Sequence, residues 1–455
     1  MVSVPRLVVA APSSGSGKTT VATGLMAALA MRGLRVSPHK VGPDYIDPGY
    51  HALATGRPGR NLDPWLTSED LTVPLFLHGA RDADIAVVEG VMGLYDGAAG
   101  LGPSDSAGGG DYASTAHVAT LLDAPVVLVV DASAAGRSVA ALVHGFRSFG
   151  TVRVGGVVLN RLGSEGHERM CRAAVEELGL PVLGALRRSD DAATPSRHLG
   201  LIPAAERSAE AVDTVRRLGE LVAASCDLDA LLALAREAPE LDAAPWDPAD
   251  AVPEKHPGRP RIAVAGGPAF TFGYAENEEL LEAAGAEVVR FDPLQDAGLP
   301  EGTRGVVVGG GFPEVYAAQL SSNEPLREEL AAFADASRPV YAECAGLLYL
   351  AEELDGAPMC GVLNGARAAM APRLTLGYRA AVAVADSVVA RAGERVHGHE
   401  FHRTVTDPEH GETAAWQWSA SGPVGFVRGD CVASYLHVHW AGSPWFASRM
   451  VAACL

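Results

Sequence analysis

The chain has 455 residues, 48% of them hydrophobic and 20% charged, with a formal net charge of −19 at pH 7. That length exceeds one ordinary core, so two domains are expected of an otherwise globular composition. The acidic balance argues against nucleic-acid binding and against anionic membrane surfaces, and any polyanionic ligand must meet local basic residues. Apolar runs are short and broken by turn residues, which argues against a transmembrane helix, and Met1–Pro5 leads into a strand without a leader pattern. Cys171, Cys226, Cys344, Cys360, Cys431 and Cys454 show no CxxC spacing, so neither a disulfide framework nor a structural zinc site is expected, and a cytoplasmic location follows.

In chain order, Leu7–Ala11 is an apolar, β-rich strand. A glycine loop follows, Ser14-Gly15-Ser16-Gly17-Lys18-Thr19-Thr20, and then a helix from Lys18 to Arg32 with Val21, Leu25, Ala28 and Leu29 on one face. Gly33 is placed to end it. Strand, glycine loop, Lys-Thr and helix form the order a phosphate loop requires. Backbone N–H groups around Gly15 and Gly17 wrap phosphates, Lys18 meets their charge, and the Thr19 hydroxyl reaches Mg²⁺, with Thr20 beside it. Pro12 stands where the first glycine of such loops normally sits.

Lys40-Val41-Gly42-Pro43-Asp44-Tyr45-Ile46-Asp47-Pro48 places a lysine and two aspartates in a proline-stiffened turn after a second strand. Such loops sit over the nucleotide in parallel α/β sheets, although Pro-Asp and Asp-Pro also simply form turns. Ile85–Val88 is a buried strand ending at Glu89, the kind of carboxylate that holds Mg²⁺ beside a phosphate loop or merely ties a loop down. Gly97–Gly110 reads as a mobile loop. Val126–Val130, Val154–Leu159 and Val182–Leu186 are further buried strands, and continuous apolar strands separated by helices predict a mostly parallel sheet covered on both faces.

Residues 236–260, rich in Pro, Asp and Ala without apolar period, read as a linker between domains at 1–235 and 261–455. Alternation then resumes with strands Arg261–Ala265, Val288–Phe291 and Gly305–Val308 and helices Glu276–Ala284 and Leu326–Ala336; from about residue 375 strand signals dominate. Gly309-Gly310-Gly311-Phe312-Pro313-Glu314 follows a strand and can offer N–H groups to an oxyanion. Tyr341-Ala342-Glu343-Cys344-Ala345-Gly346 puts Cys344 on a strand-to-helix turn, where helix N-terminal amides stabilise a thiolate. In His437-Val438-His439 alternate residues share a face, and one histidine could take the Cys344 proton and return it to departing ammonia. A buried core cysteine and a packed or metal-binding histidine pair are the plainer alternatives.

Together these elements resemble the glutamine-dependent corrin-ring amidases, the cobyrinate and hydrogenobyrinate a,c-diamide synthases. The resemblance spans almost the whole chain. It is carried by residues 11–20, 40–48, Asn61-Leu62-Asp63, 89–97 (Glu-Gly-Val-Met-Gly-Leu-Tyr-Asp-Gly), Arg197-His198-Leu199-Gly200-Leu201, 309–314 and the Cys344 and His437 segments. It implies an α/β fold: a P-loop, dethiobiotin-synthetase-like domain followed by a class I glutamine amidotransferase domain. Asp44, Asp47, Glu89 and Thr19 would serve Mg²⁺ and activation. Lys40, Tyr45 and Asp96 would meet substrate, and Asn160 would read adenine. His437 would be the partner of Cys344, with Gly310 and Gly311 at the oxyanion. His439 stands where many relatives carry a glutamate, and Ala345 where they commonly carry glycine.

The implied reaction amidates the a and c carboxylates of (hydrogeno)cobyrinic acid in cobalamin biosynthesis. Mg-ATP forms an acyl phosphate, and ammonia released from L-glutamine at Cys344 displaces the phosphate after travelling a protected path. Arg57, Arg60, Arg187, Arg188, Arg197 and His198 are candidates to meet the corrin polycarboxylate. A related corrin amidase such as cobyric acid synthase is the nearest alternative. A partition-type ATPase is a remote one, since it has no reason to append Cys344 and His437. Oligomeric state stays open, a homodimer among the options, as does the presence of cobalt in the ring.

Overall fold

Seven strands build the sheet of the N-terminal half: β1 (Arg6–Ala10), β2 (Val36–Val41), β3 (Arg60–Leu62), β4 (Ile85–Glu89), β5 (Val126–Asp131), β6 (Val154–Leu162) and β7 (Val182–Arg187). Their order is β3-β2-β4-β1-β5-β6-β7, and every pairing is parallel. Burial on both faces is why most of them read as apolar runs, β2 being interrupted by Ser37, Pro38, His39 and Lys40. β3 has no such signature: Arg60 and Asn61 are polar yet buried. The computed structural model describes residues 2–98, 111–188, 196–197, 200–201, 208–418 and 422–455. Most of the glycine-rich stretch 97–110 and His198 lie outside them.

The chain divides into two units, Met1–Pro64 with Ser68–Trp246, and Trp65–Thr67 with Asp247–Leu455. Within residues 236–260, Trp246 is buried in the first unit, its N–H bonded to the Pro74 carbonyl at 2.9 Å, while Val252 is buried in the second.

Helix α1 (Lys18–Met31) starts directly after the glycine loop and closes at Gly33, whose φ of +84° suits glycine. It is buried on more than the single face its period predicts, because the helix Ser208–Ser225 lies against it. A methyl at Gly24 would sit 2.7 Å from the Leu218 carbonyl, and one at Gly219 2.9 Å from Ala27 Cβ. Helix α2 (Asp47–Thr55) begins inside the Lys40–Pro48 motif with a proline in its first turn.

The second unit holds a six-stranded sheet in the order Glu287–Phe291, Arg261–Ala265, Thr303–Val308, Val340–Glu343, Cys431–Ser434 and Phe426–Arg428, parallel except at its last strand. A further sheet is built on the antiparallel pair Arg367–Ala383 and Arg395–Asp407, and His437–Val438 pairs with the latter, His399 opposite His437. The α/β class expected from the alternation holds for both halves.

Candidate active sites

In the first unit the sheet topology assembles a charged cluster at the C-terminal ends of β1, β2 and β4, where the strand order reverses and ligands bind in such sheets. The β2–β4 register sets Lys40 opposite Glu89. Lys40 Nζ lies 2.6 Å from Asp47 Oδ2, 3.0 Å from Glu89 Oε1 and 3.7 Å from Asp44 Oδ2. The Thr19 hydroxyl is 2.6 Å from Glu89 Oε1 and 3.3 Å from Asp47 Oδ2, and His51 Nε2 is 2.7 Å from Glu89 Oε2. Asp44 Oδ1 accepts the N–H groups of Ile46 and Asp47, and the Asn61 amide donates to the carbonyls of Gly42 and Asp44. The motif loop is therefore pinned from both sides.

Charge states follow from burial against pairing. Burial pushes the Glu89 carboxyl up, but Lys40 and His51 more than offset it and hold it well below the carboxylate range. Asp47 goes the other way: burial and the Asp44 charge raise it, and Lys40 only partly compensates. Burial alone would lower Lys40, yet Asp47, Glu89 and Asp44 raise it, so it stays an ammonium. Lys18 is lowered by burial and by Lys40, and its Nζ rests 3.2 Å from the Met92 carbonyl. The oxygens of Thr19, Asp47 and Glu89 suit Mg²⁺, which beside phosphates takes one or two carboxylates and keeps its remaining positions for phosphate and water. Among the described residues no cluster of three or more His, Cys, Asp or Glu forms a metal cage of protein alone.

Two of the expected ligand-binding side chains make hydrogen bonds within the protein, and a third is buried. Asn160 Nδ2 donates to the Ser16 carbonyl at 2.9 Å and its Oδ1 accepts the Arg161 N–H, so its amide braces the phosphate loop. Gly17 permits this approach: a methyl there would lie 2.0 Å from Asn160 Nδ2. Asp96 Oδ2 accepts the Gly93 N–H, a turn clasp, and Tyr45 is buried. Arg57 caps the carbonyls of Gly79 and Arg81, Arg60 is buried, and Arg187 pairs with Glu165.

In the second unit Cys344 joins the strand Val340–Glu343 to the helix Ala345–Leu350 with φ 48° and ψ −97°, a backbone state that a non-glycine residue holds only when its surroundings enforce it. They do. The Cys344 N–H bonds to the Ser434 carbonyl at 2.8 Å, Gly346 N–H reaches the Gly309 carbonyl, and a methyl on Gly346 would stand 2.3 Å from the Val308 carbonyl. The strand-to-helix elbow is the one expected, but the thiolate is not. Burial raises the Cys344 thiol far above its ordinary value, the charges of Glu314 and Glu343 add to it, and the Ala345 N–H opposes them without prevailing. A six-residue helix at a buried thiol supplies too little field to reverse that.

Gly310 also differs from its expected role. Its N–H is bonded to the Phe272 carbonyl at 3.2 Å, and a methyl on it would come 2.6 Å from His437 Cε1. It makes room for the histidine. Gly311 N–H has no hydrogen-bond partner among the described residues. His437 is fully buried, stacked on His399 at 4.9 Å, with Nδ1 3.7 Å from Glu343 Oε2. His439 has other partners: it stacks on Tyr274 at 4.3 Å, its Nε2 is 3.6 Å from Glu276 Oε2, and its Nδ1 accepts the Ala441 N–H.

Residues 7–202 match the CobQ/CobB/MinD/ParA nucleotide binding domain and residues 261–445 the CobB/CobQ-like glutamine amidotransferase domain. A hydrogenobyrinate a,c-diamide synthase of Streptomyces coelicolor is 60% identical over 99% of this chain and 98% of its own length. The Thermobifida fusca protein of the same name is 55% identical over 99% and 97%. A cobyrinate a,c-diamide synthase of Gloeobacter violaceus is 45% identical over 99% and 97%. The chain belongs to the a,c-diamide synthase family.

As a member of that family it is a glutamine-dependent ligase with a nucleotide-binding half and an amidotransferase half. In this a,c-diamide synthase family member the predicted Thr19, Lys40, Asp44, Asp47 and Glu89 converge on one cluster, while Gly15, Lys18 and Thr20 lie along the loop and helix beneath it. His51 went unread, although its spacing of four from Asp47 on α2 puts the two on one helical face. Glu343 went unread too, the one charged residue of a fully buried strand. No helix of the described residues is long and apolar enough to cross a membrane.

Proposed function

We propose that the chain converts hydrogenobyrinate to its a,c-diamide in cobalamin biosynthesis, using MgATP and L-glutamine in the cytoplasm. The observation that carries the reading is the pairing, in one chain, of a Thr19–Asp47–Glu89 cluster beside a phosphate loop with a second unit that holds an elbow cysteine and a buried histidine. Hydrogenobyrinate is favoured over cobyrinate by similarity. The relatives named for the cobalt-free ring are 52–60% identical, and those named for cobyrinate 40–45%.

At Cys344 the thiol proton passes to His437 as Sγ attacks the glutamine side-chain carbonyl carbon, with the oxyanion facing the N–H groups of Gly311 and Ala345. The imidazolium returns its proton to the leaving nitrogen, ammonia departs, and water hydrolyses the thioester to glutamate. A raised thiol fits this order, since the proton leaves only when a substrate carbonyl is there to be attacked. In the other unit a substrate carboxylate oxygen takes the γ-phosphoryl group of ATP and ADP leaves. Ammonia then attacks the acyl carbon, phosphate departs with the C–O bond, and the surplus proton goes to solvent. Without that phosphorylation the carboxylate has no leaving group. Lys18 would face the phosphates and Lys40 would hold Asp47 and Glu89 in register, while Thr19, Asp47 and Glu89 would hold Mg²⁺, which supplies charge neutralisation when bound.

Mass spectrometry of product from MgATP, glutamine and either ring tests this. Two amidations of hydrogenobyrinate are expected. Cys344→Ala should lose them with glutamine and regain them with ammonium. Amidation of cobyrinate alone would overturn the choice of ring, and amidation of neither would overturn the reading.

A further inference from the structure

A glutamate ending a wholly buried strand is costly unless its charge is met. Glu343 is 4% exposed. Its Oε1 accepts the Val438 N–H at 3.2 Å and the Tyr341 hydroxyl, and its Oε2 stands 3.7 Å from His437 Nδ1. Burial and the Glu343 charge keep Tyr341 protonated, so its hydroxyl can only donate to the carboxylate. One oxygen is thus locked by two donors and the other aimed at the imidazole. The strand register explains the aim: Glu343 pairs with Ser434, and three residues later the chain turns to present His437.

Among the other carboxylates of this region, Glu400 Oε2 accepts Arg379 Nε–H at 2.7 Å, and Glu276 is committed elsewhere. His439 accepts the Ala441 N–H on Nδ1, so its proton sits on Nε2, facing Glu276. From that pair a line of contacts runs to His437 through Tyr274, whose ring His439 stacks on and whose hydroxyl is 3.2 Å from His399 Nε2, and then through His399 itself. Around His437 stand Glu343 on the nucleophile strand, His399 on Arg395–Asp407, and Gly310. Burial and the His437 charge hold His399 neutral.

We propose that Glu343, the residue before the nucleophile, is the positioning carboxylate of His437. It fixes the tautomer protonated on Nδ1 and leaves Nε2 to take the Cys344 proton. This rests on the amidotransferase reading of Cys344 and His437. When the thiol proton arrives, the imidazolium finds Glu343 as its counter-charge, and it loses that proton again to the departing ammonia.

The test uses full-length enzyme with MgATP and hydrogenobyrinate, driven by glutamine or by ammonium. Glu343→Gln keeps an oxygen for Val438 N–H and the Tyr341 hydroxyl but removes the charge. With glutamine, kcat should fall about 10- to 100-fold while KM for glutamine stays within about twofold. Ammonium-driven turnover should be unchanged. Glu276→Gln should leave the glutamine-driven kcat and KM unchanged. Undiminished glutamine-driven kcat in Glu343→Gln, an equal loss with both nitrogen sources, or the larger kcat loss in Glu276→Gln instead would each overturn the proposal. Cys344→Ala separates the two levels: glutamine-driven turnover surviving in it would remove the amidotransferase reading itself.

Discussion

His39, on β2, shows how one buried ring ties stability to pH. Burial lowers it to about 3 from 6.5, with Arg60 and Arg57 adding to the shift, and its Nε2 lies 2.9 Å from the Ser37 hydroxyl. Between those two values the unfolded chain binds a proton that the folded one refuses, so stability falls as pH drops below about 6.5. At pH 5 the difference amounts to about 2 kcal/mol. His39→Gln, which can keep the Ser37 bond, should show a correspondingly flatter loss of N-terminal unit stability between pH 7 and pH 5 in urea titrations. Equal slopes for the two proteins would rule this out. Neither His39 nor His51 was legible in the sequence as more than a lone histidine, whereas Lys40, Asp47 and Glu89 were, because motif spacing and strand ends mark them. Asn160 is marked in the sequence by its strand end, whereas its amide's bond to the Ser16 carbonyl, which ties it to the phosphate loop, carries no signal there.

At the scale of elements, unbroken apolar runs located most strands of the two parallel sheets, since burial on two faces leaves little freedom in composition. Partner choice among helices was not legible. The period of α1 predicts one buried stripe, and the second buried face exists because Gly24 and Gly219 let the helix Ser208–Ser225 approach to backbone contact. A short glycine inside a helix is a weak signal in isolation. Gly24→Leu should therefore act as overpacking against the fixed Leu218 carbonyl, destabilising the N-terminal unit by about 1–3 kcal/mol and lowering its melting temperature. A variant as stable as the parent would mean the two helices can part without loss. β3 was missed for a related reason: Arg60 and Asn61 are polar yet buried, Asn61 through hydrogen bonds to the Gly42–Asp44 loop, a property that hydropathy does not register.

For the whole molecule the informative fact is that two chemistries occupy two units with separate cores. The division into a nucleotide half and an amidotransferase half was legible because each half carries its own motif order; which carboxylate serves His437 was not, because Glu343 reads as the end of a strand. If each unit performs its own step, damage to one should leave the partial reaction of the other intact. Lys18→Ala is the suitable probe. Burial and the neighbouring Lys40 already disfavour the Lys18 charge, so its removal relieves repulsion and should not unfold the unit. Loss of its contact with phosphate should reduce amidation by about 100-fold or more with either glutamine or ammonium. Alkylation of Cys344 by a glutamine-analogue chloroketone should continue at the parent rate. Cys344→Ala gives the complementary pattern, failing with glutamine alone. A Lys18→Ala protein that amidated normally would remove the phosphate loop from the reaction. One whose Cys344 no longer reacted would show that nucleotide binding and the glutamine site are linked by more than the ammonia they share.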